Sequence, residues 1–401
     1  MKIKHADLQR AIRCYMVPLF HGCSFNETMK QWNRAMLSTM MKKKHWIVLF
    51  FVGTGVSLSQ CGIKDQGVVL VPEHAFEQLS EYHFFVGDLA DLQPNEHVLP
   101  YDLNTPLFSD YAQKARFVWM PEGRAATYRE DGVLDFPEGT VLIKNFYYEI
   151  DETAPETSRR IVETRLLINR GDAWEAIGYV WNDEQTEASL EVAGAIKAVE
   201  WTDKSGQLQQ LDYIIPNKNQ CKNCHAVDEQ QVPIGPKAAN LNKPFTYADG
   251  EMNQLEKWSA IGYLSGYIAE EEHAQLAVWN DAQSGSIHER ALAYLDVNCG
   301  HCHNPHGAAN TSGLTLTAQA KMDKALGIYK PTVSAGAGTG GHLYSIVPGN
   351  PDESILVYRM NSTDPGAMMP ELGRRMVHRE GVELIREWIA QLSVGSESSG
   401  I

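Results

Sequence analysis

Two pentapeptides of one pattern carry the most specific chemistry in the sequence: Cys221-Lys222-Asn223-Cys224-His225 and Cys299-Gly300-His301-Cys302-His303. A thiol pair three positions apart, followed at once by an imidazole, suits covalent haem attachment. The thiols add across the vinyl groups and the imidazole coordinates the iron. With 7 Cys and 14 His in 401 residues, chance supplies roughly 0.004 such pentapeptides. Two copies therefore point to two c-type haems, with Cys221, Cys224, Cys299 and Cys302 as attachment sites and His225 and His303 as iron ligands. The competing uses are a zinc site and two disulfides. A four-cysteine zinc site separates its pairs by about 15–20 residues, whereas Cys224 and Cys299 lie 75 positions apart and each pair has a trailing His.

Elements must deliver these side chains. Ser286 with Glu289 makes a capping box, and Ile287, Ala291, Tyr294, Leu295 and Asn298 share one face of a helix running into Cys299. Asn350, Pro351 and Glu353 predict a helix through Tyr358, and Val382, Ile385, Trp388, Ile389 and Leu392 predict a closing one. Met369, in Met368-Met369-Pro370-Glu371-Leu372-Gly373, lies just before that closing helix. Its thioether would complete His/Met coordination and raise the potential of the second haem, with Met368 or Met360 as substitutes. A helix before the haem motif, a methionine loop and a closing helix resemble a class I cytochrome c.

The first motif follows the strand-like Tyr213-Ile214-Ile215-Pro216, with helices expected afterwards at Met252–Ala260 and Ala269–Trp279. Its sixth ligand stays open among Met252, Lys237, His273 and a residue from elsewhere. Residues 75–216 read as β, with candidate strands Arg116–Met120, Thr140–Ile150, Arg160–Asn169, Trp174–Trp181, Ser189–Val192, Ala198–Trp201 and Leu211–Ile215. Seven short strands predict an antiparallel, sandwich-like domain. Its acidic residues, Glu149, Asp151, Glu152, Glu163, Asp183 and Glu187, show no spacing that demands acid–base work and read as a solvated face. Arg170-Gly171-Asp172 is turn chemistry rather than an adhesion tripeptide. Gly336-Ala337-Gly338-Thr339-Gly340-Gly341 matches a dinucleotide fingerprint in letters only, without a following helix. His301, His306 and His342 lie near the haem motifs but read as hydrogen-bonded or exposed side chains.

The 35 basic and 50 acidic residues give a net charge of −15. That argues against nucleic acid or an anionic membrane face and for a redox partner with a basic docking face. Residues 41–60 read as a signal peptide, with a basic start at Met41-Lys42-Lys43-Lys44 and an apolar Trp46–Val56 too short for a confident membrane span. Leu58-Ser59-Gln60-Cys61 resembles a lipobox, which makes Cys61 the lipidation site, although Gln60 departs from the small residue usual there. Simple secretion or an uncleaved anchor are the alternatives. Residues 1–40 then read as an upstream extension outside the mature protein, with translation starting at Met40 or Met41. The expected order is a tether at 61–74, a β-rich domain at 75–216, haem segments at 217–283 and 284–395, and a tail at 396–401. The fold class is thus multidomain β plus α: a sandwich-like domain followed by two mainly helical cytochrome c-type segments.

The chain resembles a family of bacterial exported proteins, many of them lipoproteins, with a β-rich N-terminal region and two cytochrome c haem motifs. Thr105-Pro-Leu-Phe-Ser-Asp-Tyr111, Phe136-Pro-Glu-Gly-Thr140, Tyr179-Val-Trp-Asn182, Pro233-Ile-Gly-Pro-Lys237, Val347-Pro-Gly-Asn-Pro351 and Met369-Pro-Glu-Leu-Gly373 carry the resemblance. It spans most of residues 75–393. What it implies is haem attachment at the four motif cysteines with His225 and His303 as ligands, and no substrate. The expected function is an exported dihaem electron carrier in the periplasm or on the outer membrane, held to the membrane only through lipid. An oxidoreductase with one open-coordination haem and a haem-stapled binding protein are the alternatives, with the carrier favoured over an enzyme.

Overall fold

Continuous apolar runs such as Val141-Leu142-Ile143 and Leu166-Leu167-Ile168 dictate a sheet buried on both faces. In the computed structural model, which describes residues 67–69, 71–155, 159–228 and 230–393, six strands form one antiparallel sheet in sequential order. They are β1 (Val98–Tyr101), β2 (Gln113–Trp119), β3 (Val141–Glu149), β4 (Arg159–Asn169), β5 (Trp174–Trp181) and β6 (Ala188–Leu190). One face carries Phe117, Trp119, Val141, Ile143, Leu166 and Ile168 and packs under Leu79, Tyr82 and Phe84. The opposite face carries Val118, Leu142 and Leu167 and packs against Leu241, Leu255 and Trp258, which follow the first haem motif in sequence. Period-two patterning thus places each residue on its face. A separate hairpin, β7 (Ala195–Thr202) and β8 (Leu208–Ile215), packs Val199, Trp201, Tyr213 and Ile215 against Phe146, Tyr148 and Val162 of the sheet.

All seven candidate strands form within a few residues of their expected ends. Arg170-Gly171-Asp172 is the β4–β5 turn, where Gly171 has φ +96°. The architecture is mixed, rich in antiparallel sheets with shorter helices between and after them.

The helices are α1 (Lys218–His225), α2 (Ala238–Leu241), α3 (Gln254–Ala260), α4 (Ile287–Leu295), α5 (Ile355–Met360) and α6 (Arg379–Gln391). The Ser286/Glu289 capping box forms at α4 as expected. Tyr294 and Leu295 of α4 pack in one core with Val382, Ile385, Trp388 and Ile389 of α6. The tyrosine hydroxyl occupies the space where a Cβ on Gly381 would stand, so the two helices approach closely only because that residue is glycine.

Three expected helices differ. The Met252–Ala260 helix begins only at Gln254, because residues 250–253 pair as a strand with Pro244–Tyr247 and the Asn253 side chain caps α3. Ala269–Trp279 is not helical: the carbonyls of His273 and Ala274 accept from the Asn242 side chain, that of Ala277 accepts from Thr105 Oγ1, and Leu276 N donates to Ala239 O. Groups engaged in tertiary bonds cannot close helical turns. The expected Asn350 helix splits into a short 3-10 turn, Pro351–Glu353, and α5, because Ser354 Oγ donates to Asn350 O and accepts from Val347 N.

By their contacts, residues Asp65–Ile401 form one compact unit. Residues 1–60, and with them the expected signal peptide and Cys61, lie outside the described residues. Among the described residues, no helix is long and apolar enough to cross a membrane.

Candidate haem-binding site

The Asn217 side chain accepts from Gln220 N, and the Gln220 side chain accepts from Asn217 N, starting α1 immediately after β8. Within that helix Cys221, Cys224 and His225 stand at i, i+3 and i+4, which puts both thiols and the imidazole on one side. His225 Nδ1 lies 2.7 Å from Val232 O. A carbonyl only accepts, so Nδ1 carries the proton and Nε2 keeps a free lone pair. Burial pushes the imidazole down to about 4, which keeps it neutral at physiological pH.

The second motif reaches the same end by different means. α4 continues into a single π turn, Asp296–Gly300, and His303 N donates to Cys299 O at 2.9 Å. A Cβ on Gly300 would stand 2.7 Å from Leu316 O, so this position inside the motif needs glycine. His303 Nδ1 lies 2.9 Å from Ser312 Oγ, whose single proton goes to Ala309 O at 2.7 Å. The serine can therefore only accept from the imidazole, and His303 too is left with Nε2 free. Burial holds it near 4 as well.

The two motifs meet. Cys302 Sγ donates to Asn223 O at 4.0 Å, and Cys224 and Cys302 perturb each other, lowering Cys224 and raising Cys302. His306 Nδ1 lies 3.0 Å from Asp228 Oδ1, and Asp228 N donates to His306 O at 3.1 Å. All four motif cysteines are free thiols. Burial raises Cys221, and it raises Cys299 to about 12. Among the described residues, no group of three or more His, Cys, Asp or Glu is arranged to hold a bare metal ion. Paired thiols each beside an imidazole with a free Nε2 are a donor set that fits porphyrin iron.

A cavity of about 650 Å³ lies between α1, the π turn, the methionine loop and the inner face of the sheet, a size usual for cofactor pockets. Its lining includes Cys221, Cys224, His225, Cys299 and Met369, whereas Cys302 and His303 are outside it. Met368 and Met360 line it too. Of the sixth-ligand candidates for the first iron, the three named ones do not line it: Lys237 is paired with Asp296 at 2.6 Å, His273 uses both ring nitrogens on Tyr128 OH and Ile268 O, and Met252 is exposed, whereas His301 and His378 of the second segment do. Gly336–Gly341 is a short 3-10 turn and loop.

Several site residues carry no motif. The Arg374 guanidinium donates to the carbonyls of Met369, Arg359, Ser362 and Met376, fixing the methionine loop from inside. Asp110, 3% exposed, accepts from the amides of Arg375 and Met376. Asp110 and Tyr111 both hold left-handed backbone, φ 51° and 64°, a strained pair. Phe108 stacks on His378 with centroids 4.2 Å apart, and its amide donates to Asn298 Oδ1 at 2.9 Å. The Thr105–Tyr111 stretch is therefore the strap that joins the β-rich region to the segment carrying the second Cys-x-x-Cys-His motif. On the sheet, Arg116, Lys144 and Arg165 stand opposite one another across β2, β3 and β4 and face the cavity. The signal was present in the sequence: Lys144 falls at a core-facing parity between Leu142 and Phe146.

No protein-family model, curated protein or solved structure matches the chain.

Proposed function

We propose that the chain is an exported dihaem c-type cytochrome that passes electrons between periplasmic or outer-membrane redox partners. The observation that carries this reading is the shared state of His225 and His303: each imidazole is neutral, fixed through Nδ1 and left with Nε2 free beside two thiols. Haems bound at the two pentapeptides would supply one-electron chemistry. The chain's own residues hold the attachment groups: α1 sets Cys221, Cys224 and His225 on one side, and the π turn with Ser312 does the same for Cys299, Cys302 and His303. Met369, clamped by Arg374, is the sixth-ligand candidate for the second iron. The contact of Cys302 with Asn223, the neighbour of Cys224, supports transfer between the two sites, because electrons would have only a short path to cover.

The finer fold reading belongs to the same proposal. The β7–β8 hairpin over the sheet is read as sandwich-like, and α4, the methionine loop and α6 as class I cytochrome c-like. The resemblance to bacterial exported dihaem proteins, lipidation at Cys61 and docking to a basic partner are proposed with it.

The cavity beside the first motif favours a second reading, a dihaem oxidoreductase with one open-coordination haem, since none of the three sixth-ligand candidates lines it. Carbon monoxide or cyanide added to the purified exported protein separates the two. Inert spectra at both haems support the carrier, and fast ligand binding at one haem overturns it in favour of the enzyme.

A further inference from the structure

Like charges placed directly opposite on neighbouring strands repel, yet β2, β3 and β4 present Arg116, Lys144 and Arg165 in one cross-strand row with Gly178 of β5 completing it. The flanking cations have carboxylate partners. Arg116 pairs with Asp102 at 2.9 Å, and that carboxylate also takes Lys243 at 3.0 Å. Arg165 holds both oxygens of Glu163, at 2.8 and 2.5 Å, and Tyr213 OH donates to the same group. Lys144, in the centre, has no carboxylate within ion-pair reach among the described residues. Its ammonium lies 4.9 Å over the Phe146 ring, which also underlies Arg165 at 4.3 Å. The row lies on the lining shared with Cys221, Cys224 and His225, in a cavity whose cationic side chains outnumber its carboxylates although the chain as a whole is strongly acidic. Burial together with Arg116 and Arg165 pushes Lys144 well below its ordinary value, so its ammonium is costly to hold there unless an anion arrives to meet it.

We infer that Arg116, Lys144 and Arg165 form an oxyanion site on the cavity wall facing the first haem motif, taking a carboxylate or a small inorganic oxyanion, with Lys144 as its central donor. This deepens the dihaem reading and rests on it for the identity of the neighbouring group. The oxyanion has two possible sources, a propionate of the attached haem or a free anion entering the cavity. Glycine at position 178 adds no side chain to the row, and the Glu191 carbonyl stands 3.5 Å from where its Cβ would be.

The test uses the exported full-length chain, with haem per chain counted first. Thermal unfolding midpoints and the two reduction potentials are measured in sodium formate and in sodium chloride of equal ionic strength, for the natural protein, Lys144→Met and Lys144→Arg. A free-anion site gives a saturable rise of the midpoint in formate over chloride. Lys144→Met weakens that response about ten- to hundredfold, the worth of one charged hydrogen bond, and Lys144→Arg retains it. A propionate site gives no formate response, but Lys144→Met shifts one haem's potential, leaves the other unchanged, and Lys144→Arg restores it. Two attached haems with neither response overturn the oxyanion site while leaving the dihaem reading intact. Absence of haem overturns the dihaem reading, and the formate midpoint then decides the anion site alone.

Discussion

A neutral imidazole binds iron only through the nitrogen that lacks the proton, and the partner of the other nitrogen decides which one that is. Val232 O and Ser312 Oγ make that choice for His225 and His303. Ser312→Ala removes the acceptor from His303, so its imidazole becomes a poorer electron donor and stabilises the oxidised iron less. The expected result is a rise in the potential of the second haem, read by redox titration, with the first unchanged. Met369→Leu acts in the opposite direction. Loss of the thioether lowers that potential by a sizeable share of the roughly 0.8 V that axial ligands command, and the same titration reads it. A potential that does not move would assign the ligand to another residue, with Met368 and Met360 in the same cavity the next to vary.

At the scale of elements, the Thr105–Tyr111 strap and the α4–α6 crossing hold the second motif. Asp110→Ala leaves the amides of Arg375 and Met376 without their acceptor and is expected to lower unfolding free energy by about 2–3 kcal/mol, measured by urea denaturation. Burial lifts the Asp110 carboxyl above its ordinary 3.8, outweighing those amides and the nearby Arg374 and Lys114. For a folded value that is raised, protonation favours the fold, so this carboxyl's contribution to stability falls as pH rises from about 3.8 to the folded value and is constant above it. Asp110→Asn removes that slope, which urea midpoints taken across the acid range will register. Gly381→Ala drives a methyl group into the Tyr294 hydroxyl and is expected to cost about 1–3 kcal/mol. The strands were legible because runs rich in Val, Ile, Tyr, Trp and Phe stand between Gly, Asp and Pro turns, and α4 and α6 because caps and apolar faces are local. Ala269–Trp279 was not, because its carbonyls answer to Asn242 and Thr105, residues far away in the chain. The cation row was legible only in part: Lys144 between Leu142 and Phe146 marks one member, but Arg116 and Arg165 sit on other strands, and only the register brings the three into line.

At the scale of the whole molecule, a net charge of −15 surrounds a cavity in which cationic side chains outnumber carboxylates. On the proposed carrier reading, that acidic charge would steer basic partners. Electron exchange with a basic redox protein is therefore expected to slow as salt rises from about 0.01 to 0.15 M, where the screening length falls from about 30 to about 8 Å. Exchange with an acidic partner of similar size would show the reverse trend, which stopped-flow spectroscopy can read. The strap and the shared core make the β-rich region part of the surroundings of both Cys-x-x-Cys-His motifs rather than an appendage. The proposed dihaem cytochrome stands or falls on what the two pentapeptides carry. Intact mass spectrometry of the protein from a host able to mature c-type cytochromes measures that directly. The account predicts the mature polypeptide plus two haem groups that survive denaturation; a bare polypeptide, or one holding zinc in their place, would contradict it.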